Sequence, residues 1–416
     1  MTIEKVDALV VGGGQAGIAM SEHLGLAGLS HLVLEKKRIA ERWRSERWDS
    51  LVANGPAWHD RFPGLTFDGD PDAFVPKEAV ADYFEAYVRK INAPVRTGVE
   101  VTSVTPLERR HGFRAETSEG VIEADTVIAA TGAFQVPVFP KLIPDMPGLT
   151  QIHSTAYRNP EQLADGAVLV VGAGSSGVQI AEELMNSGRK TYLSVGSHNR
   201  PPRSYRGRDF CWWLGVLNKW DAEFVPGSEH VTIAVSGANG GHTIDFRKLA
   251  DRGMTLLGMT GACENGVLTF SDDLAENINA GDENYLSLLE EADAYVDAYG
   301  LDLPPEPEAK IIGPDPECVS HPLLELNLKE AGITTVIWAT GFVRDYGWLK
   351  VDAFDETGAP VHQRGVSTVP GVYFLGLPWQ TRRGSSFIWG VWYDAKYLTD
   401  HIVKQRNYRF FEPAAQ

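Results

Sequence analysis

Residues 6–36 read VDALVVGGGQAGIAMSEHLGLAGLSHLVLEK and begin with an apolar run that ends in glycines. An amphipathic stretch, a further glycine and a second apolar run follow. This order predicts a strand, a tight turn, a helix and a second strand, and right-handed crossover makes the two strands parallel neighbours. The stretch therefore predicts the first βαβ unit of a dinucleotide-binding fold.

The glycines of this stretch match the pattern G-x-G-x-x-G directly after the first strand. The first glycine permits the turn, the second lets backbone N–H groups approach a pyrophosphate, and the third lets the helix pack on the strand. Glu35 closes the second strand, where a carboxylate accepts hydrogen bonds from ribose hydroxyls. The residues predicted to bind this nucleotide are Gly12, Gly14, Gln15, Ala16, Gly17 and Glu35.

A second copy of the pattern lies at 166–196, GAVLVVGAGSSGVQIAEELMNSGRKTYLSVG. Here Ser194 stands near the place of the acid, and an arginine-rich run follows it. A missing carboxylate and nearby arginines are typical of a site for a 2′-phosphate, so NADP(H) is favoured and NAD(H) is the alternative. The predicted contacts are Gly172, Gly174, Ser175, Ser176, Gly177, Arg200 and Arg203.

A second repeated element supports the first. TVIAATGAF at 126–134 and TVIWATGF at 335–342 each predict a buried strand that ends in Ala-Thr-Gly. The small turn suits a place where another group must approach the backbone closely. We expect Thr131, Gly132, Thr340 and Gly341 to contact the cofactors.

The two turns have different second strands, which implies two different nucleotides, and the acid-terminated first site suits FAD. The order of these elements predicts an α/β protein with two Rossmann-like domains, the NADP-binding one inserted in the FAD-binding one. The expected ranges are 1–160 and 316–416 for the FAD-binding domain and 161–315 for the inserted domain. Within the inserted domain, the acidic stretch 271–299 predicts a solvated helix pair.

Composition excludes several classes of function. The formal charge of −17 disfavours nucleic acid as a partner. The three cysteines have neither metal-site nor redox-pair spacing, so we expect no metal. The N-terminal residues do not resemble a signal peptide, and no apolar run nears the roughly 20 residues that span a bilayer. We therefore expect a soluble, cytoplasmic protein without a membrane partner; the sequence also allows a homodimer.

Flavin plus nicotinamide leaves three destinations for the electrons: a disulfide, a quinone or protein acceptor, and dioxygen. The absence of a cysteine pair disfavours the disulfide. The residues alone leave dioxygen and an external acceptor open.

Nearly the whole chain resembles the class B flavin-dependent monooxygenases. Besides the two glycine motifs, the resemblance rests on ERW at 41–43, RWDSLVAN at 47–54, the linker PGLTQIHSTAYRNP at 147–160, and GVYFLGLPW at 371–379. It implies an NADPH-using enzyme with FAD. Such an enzyme inserts one atom of dioxygen into a small organic substrate through a C4a-(hydro)peroxyflavin.

The resemblance also assigns roles to residues. Asn54 is expected near flavin N5, with Trp43, Asp49 and Ser50 along the polar edge of the ring. His153 lies in the linker fingerprint, as a hydrogen-bonded residue that holds the domains together or as an acid/base catalyst. The fingerprint departs from the family pattern because Met146 stands at its aromatic position.

The C-terminal stretch 376–402 predicts a polar turn and then a helix whose N-terminus faces the flavin pyrimidine. Five tryptophans could wall an aromatic substrate cavity, although such residues are more often core: Trp212, Trp213, Trp379, Trp389 and Trp392.

Two other functions remain as alternatives. One is an NAD(P)H oxidase or a reductase that passes electrons to a quinone or protein. The other is a non-catalytic regulator that binds flavin or nucleotide, because a fold alone does not prove activity.

Overall fold

The structure is a computed structural model that describes residues 3–108, 110–225 and 232–411. Its helices are α1 (Gln15–Leu26), α2 (Glu41–Ser45), α3 (Lys77–Lys90), α4 (Ser175–Asn186), α5 (Phe210–Val216), α6 (Phe246–Asp251), α7 (Leu274–Tyr299), α8 (Glu317–Ser320) and α9 (Ile388–Arg409).

The strands in chain order are β1 (Glu4–Val11), β2 (His31–Glu35), β3 (Val52–Pro56), β4 (Phe74–Pro76), β5 (Val95–Thr97), β6 (Val101–Pro106), β7 (Phe113–Thr117), β8 (Gly120–Ala129), β9 (Val136–Pro137), β10 (Thr150–His153), β11 (Ala167–Val171), β12 (Thr191–Ser194), β13 (His198–Asn199), β14 (Ser204–Tyr205), β15 (Arg208–Asp209), β16 (Thr232–Ile233), β17 (Thr255–Leu257), β18 (Thr260–Glu264), β19 (Val267–Phe270), β20 (Glu325–Asn327), β21 (Ile333–Trp338), β22 (Phe342–Val343), β23 (His362–Gln363), β24 (Val366–Ser367) and β25 (Val372–Phe374).

The first sheet has a parallel centre in the order β25, β8, β1, β2, β5. Its strands are apolar on both sides because both faces are covered. Helices α1, α3 and α9 pack on one face, and the β6–β7 hairpin and residues 346–354 cover the other.

The second sheet is parallel throughout, in the order β10, β21, β11, β12, β17. Helices α4, α6 and α7 cover one face, and the small β18–β20 sheet covers the other. Two Rossmann-like sheets joined in one chain confirm the predicted fold class. The last strand that the chain adds to the second sheet is β21, after which it goes back to the first sheet.

Along the sequence, the first strand of the second sheet is β10 and the last is β21. Both lie outside the range 161–315, so this sheet extends beyond the bounds expected for the inserted domain. The short antiparallel pair of β9 and β22 joins the two chain crossings. The division into domains remains a prediction.

The acidic stretch forms one helix, α7, and not the expected solvated pair. Residues along one of its sides are buried, among them Asp282, Leu289 and Val296. Among the described residues, no helix is long and apolar enough to cross a bilayer.

Candidate functional site

The first glycine turn is a close meeting of three backbone segments. Gly12 has φ +115°, and its N–H donates to the carbonyl oxygen of Leu34 over 2.8 Å. A Cβ on Gly12 would lie 2.5 Å from the carbonyl oxygen of Ala130, and one on Gly17 would lie 1.8 Å from that of Gly12. No larger residue fits at either position without a backbone shift.

Helix α1 starts in this turn without a side-chain cap. Gly14 is its N-cap residue, so the first N–H groups of the helix are free to bind an anion. Gln15 turns its Nε2 group to the carbonyl oxygen of Ser386, 2.7 Å away, and Ala16 packs under Gly376. The start of α1 thereby adjoins the segment that leads into α9.

Glu35 ends β2 beside the turn. Its Oε2 accepts from the N–H of Gly13 over 2.8 Å, and its Oε1 accepts from the N–H of Lys37 over 2.8 Å. Two backbone donors fix the carboxylate, and each oxygen keeps a lone pair for a ribose hydroxyl.

The second turn repeats this geometry. Gly172 has φ +107° and donates to the carbonyl oxygen of Ser194 over 3.1 Å. A Cβ on Gly172 would lie 2.6 Å from the carbonyl oxygen of Ala339, and one on Gly177 would lie 1.7 Å from that of Gly172. Gly174 is the N-cap residue of α4, again without a side-chain cap.

Two serines follow Gly174 in the first turn of α4, and both are partly exposed. The hydroxyl of Ser175 donates to the carbonyl oxygen of Ile233 over 2.8 Å, which ties the start of α4 to β16. Ser176 is the next residue of the helix.

The two Ala-Thr-Gly turns hold equivalent places against the glycine turns, because the carbonyl oxygen of Ala130 lies next to Gly12 and that of Ala339 lies next to Gly172. Thr131 Oγ1 and the carbonyl oxygen of Gly132 both accept from the side-chain amide of Gln135 over 2.9 Å. Thr340 donates to the carbonyl oxygen of Val138 over 2.7 Å. The sequence repeat is therefore also a structural repeat.

His153 is buried at the end of β10, and both its ring nitrogens have partners. Nε2 lies 3.1 Å from the carbonyl oxygen of Gly341, and Nδ1 accepts from the N–H of Thr155 over 3.2 Å. Burial lowers the pKa of the ring. These contacts favour the linking role among the two expected for His153, since a neutral ring with two partners has no free proton site.

Asn54 lies in β3, opposite α4 of the second domain. Its Oδ1 accepts from Gln179 Nε2 over 2.9 Å, and its backbone carbonyl accepts from Arg203 Nη1 over 2.5 Å. The amide nitrogen is then the atom left to donate to another group. The contact with flavin N5 remains a prediction.

The other residues expected at the flavin edge also join the two domains. Trp43 packs against the cores of both domains. Asp49 Oδ2 accepts from the side-chain amide of Asn159 over 2.6 Å, and Ser50 donates to Glu183 Oε1 over 2.5 Å. Asp49 and Ser50 therefore point towards the linker and α4.

The two arginines expected at a 2′-phosphate are in the interior. Arg200, 3% exposed, pairs with Asp282, and its guanidinium lies 4.4 Å from the ring centre of Tyr285. Arg203, 4% exposed, pairs with Asp209 Oδ1 over 2.8 Å as well as binding the Asn54 carbonyl. Buried charges need such partners because an unpaired charge is costly there.

Several polar atoms near the start of α9 are buried without a protein partner among the described residues. They are Thr381 Oγ1, Arg382 Nε, Arg383 Nε and Trp389 Nε1. Burial lowers the pKa of Arg383, and its guanidinium lies 5.4 Å from the ring centre of Trp379. Buried donors of this kind fit the polar edge of a bound ring.

The tryptophans divide among different places. Trp212 and Trp213 pack in a cluster with α7, and Trp392 Nε1 donates to Glu22 over 2.6 Å. Trp389 and Trp379 are near the start of α9. The five residues therefore do not wall one cavity.

A different aromatic cluster escaped the sequence analysis. His59 stacks on Trp220 at 5.0 Å and meets the edges of Trp58 and Trp389 at 5.4 Å and 5.3 Å. Its Nδ1 lies 2.8 Å from Asp60 Oδ1. The cluster joins both domains at α9, and only the Trp-His-Asp order in the sequence could have drawn attention to it.

Comparison with known proteins agrees with this geometry. A family model described as pyridine nucleotide-disulphide oxidoreductase matches residues 9–206. An uncharacterized oxidoreductase of Geobacillus kaustophilus, described as CzcO-like, is 35% identical over 96% of this chain and 98% of its own. The probable indole-3-pyruvate monooxygenase YUCCA4 of Arabidopsis thaliana is 24% identical over 95% of this chain and 90% of its own.

The fold also matches a flavin-containing monooxygenase of Stenotrophomonas maltophilia, with a TM-score of 0.66. The identity is 20%, over 97% of this chain and 100% of that one. All three cysteines here are free, so the disulphide chemistry in the family description has no counterpart in a bonded pair. Taken with the relative that is 35% identical, these matches show that the chain belongs to the class B flavin-dependent monooxygenase family.

Proposed function

We propose that the protein is a monooxygenase that binds FAD at the first glycine turn and a nicotinamide dinucleotide at the second. It would transfer one atom of dioxygen to a small organic substrate. One observation carries the proposal: two glycine turns of the same close-packed geometry lie in one chain, and one loop, residues 47–56, packs into the cores of both domains and hydrogen-bonds to α4, the helix that begins in the second turn.

The residues at the first site fit FAD. Glu35 is oriented for a ribose, and the uncapped start of α1 suits a pyrophosphate. Arg383 Nε and Trp389 Nε1, buried donors without a partner in the part of the chain that the structure describes, would suit the polar edge of the flavin ring. The bound flavin would supply the electrons and the carbon at which dioxygen reacts.

The chain's own contribution is to position the two rings and to exclude water. The cluster of His59, Trp58, Trp220 and Trp389 forms an apolar wall beside the start of α9. Such a wall would keep water from the reacting oxygen and would also contact an apolar substrate.

Asn54 would orient a bound ring, since Gln179 holds its Oδ1 and leaves the amide nitrogen to donate. His153 would act through position alone, because it fixes the second Ala-Thr-Gly turn through the carbonyl of Gly341. The sequence favours NADP(H) over NAD(H) as the nicotinamide coenzyme, whereas the pairing of Arg200 and Arg203 with aspartates weighs against NADP(H).

Stopped-flow spectroscopy tests the proposal. The purified protein should be yellow, a nicotinamide coenzyme should bleach the flavin without oxygen, and added oxygen should give a transient oxygen adduct before reoxidation. Labelled dioxygen should then appear in the product. Single-step reoxidation with no label in any product would favour the oxidase or reductase alternative, and bound flavin that no coenzyme bleaches would favour the regulator.

A further inference from the structure

Three of the four arginines in the run after the second turn have carboxylate partners within the protein. Arg200 and Arg247 share the buried carboxylate of Asp282. Arg206 pairs with Asp293 Oδ1 over 2.9 Å. Arg203, as described above, binds Asp209 and the backbone carbonyl of Asn54. The guanidinium groups of Arg200, Arg203 and Arg206 therefore stabilise the fold.

Strand register identifies the residue that replaces Glu35 in the second site. Gly12 donates to the carbonyl oxygen of Leu34, and Gly172 donates to that of Ser194. Leu34 and Ser194 are therefore equivalent, which makes Val195 the counterpart of Glu35. Val195 is fully buried in the apolar core of the second domain.

The next positions are small and uncharged. A Cβ on Gly196 would lie 3.3 Å from Met259 Cγ, and Ser197 is exposed. The carbonyl of Ser197 accepts from Thr232 Oγ1 over 3.1 Å, and Thr232 lies 3.6 Å from the Cβ position of Gly174. Ser197 is thus beside the second glycine turn, where the adenosine ribose of a dinucleotide lies.

We infer that the second site takes a nicotinamide coenzyme with an unphosphorylated ribose, NAD(H), in preference to NADP(H). The inference rests on the proposed function, because it refines the second coenzyme. A 2′-phosphate brings a charge near −2 and needs a cation or several donors. The end of β12 offers Val195, Gly196 and Ser197, and the formal charge of the whole chain is −17.

Isothermal titration of the flavin-loaded wild-type protein with NAD⁺ and with NADP⁺ measures the preference without turnover. We expect NAD⁺ to bind at least about tenfold more tightly than NADP⁺, because the 2′-phosphate of NADP⁺ lacks the charge-assisted contact that it needs, and one such contact is worth about this factor. Equal binding, or tighter binding of NADP⁺, would overturn the inference and leave the proposed function standing. Binding of neither coenzyme would overturn both.

Variants locate the determinant. Ser197→Arg should tighten NADP⁺ about tenfold relative to Ser197→Gln, the matched uncharged control, because it adds a cation beside the ribose. An unchanged NADP⁺ affinity would contradict the placement of the ribose at Ser197. Arg208, whose guanidinium lies 5.3 Å from the ring centre of Trp212, is exposed. If Arg208→Gln weakens NADP⁺ alone, this arginine binds the phosphate and the inference fails.

Discussion

The third glycine of each turn offers the sharpest test of the two-site arrangement. In Gly17→Ala the new Cβ would lie 1.8 Å from the carbonyl oxygen of Gly12, and in Gly177→Ala it would lie 1.7 Å from that of Gly172. Each helix start must move by more than about 1 Å to relieve the contact, which costs about 1–3 kcal/mol as other overpacked sites do.

The two variants should lose different cofactors. Gly17→Ala should lower both the free energy of unfolding and the flavin content, because the displaced N–H groups no longer meet the pyrophosphate. Gly177→Ala should keep its flavin, yet a nicotinamide coenzyme should bleach it at least about tenfold more slowly. Absorbance per polypeptide, urea unfolding and anaerobic stopped flow measure the three quantities.

Gly25→Ala is the matched control, since it places the same methyl group within α1. The nearest atom to that Cβ would be His31 Cε1 at 3.7 Å, and alanine favours helix over glycine by about 1 kcal/mol. This variant should keep flavin content and gain slight stability. A yellow Gly17→Ala protein with wild-type stability would refute the packing argument.

Three further predictions concern polar contacts of single side chains. Arg203→Leu should lower the free energy of unfolding by about 3 kcal/mol, because it removes the cation that pairs with Asp209 and the donor to the Asn54 carbonyl. A free energy of unfolding in urea equal to that of the exposed control Arg208→Leu would contradict this. His153→Phe should lower the free energy of unfolding by about 1–3 kcal/mol, because the carbonyl of Gly341 in the second Ala-Thr-Gly turn loses its partner. His153→Gln should recover part of this free energy, and the pH profile of its kcat should match that of the wild type. A changed profile would show acid/base catalysis instead. His242 hydrogen-bonds a carboxylate on α4, which raises its pKa. The pair therefore stabilises the fold fully below the ordinary histidine pKa of about 6.5, and this contribution is lost as pH rises through the raised pKa. Unfolding of wild type and His242→Gln should converge at higher pH, and a constant difference between them would contradict the assignment.

The sequence predicted the parts of the fold that are repeated and local. Glycine turns, apolar strands and Ala-Thr-Gly turns follow from neighbouring residues, and their repetition made the two-domain fold class evident. The end of β12 was placed less well: the sequence put Ser194 near the position of the acid, whereas the hydrogen bonds of the glycine turns make Val195 the counterpart of Glu35.

Contacts between distant segments were not predictable in this way. The arginine run suggested a phosphate site, but Asp282 and Asp293 on α7 bind it from some 80 residues further along the chain. The same helix carries Gly281 where it meets His198, since a Cβ at that position would lie 2.5 Å from His198 Nε2. Both facts depend on which helix face is covered, and composition does not reveal that.

The loop at residues 47–56 joins the two domains, in addition to the place beside the flavin ring that the sequence predicts for Asn54, Asp49 and Ser50. Trp48 and Leu51 belong to the apolar core of the second domain, although β3 at the end of the loop pairs within the first. Asn54 and Ser50 add hydrogen bonds to α4, the helix that begins in the second glycine turn. Burial of two large side chains contributes several kcal/mol, so the loop holds α4 firmly against the first domain. The loop therefore helps to fix the start of α4, and with it the second glycine turn, relative to the first domain. Under the proposed function, a substitution in the loop should alter the rate at which a nicotinamide coenzyme bleaches the flavin in anaerobic stopped flow, even where the substituted residue contacts neither cofactor.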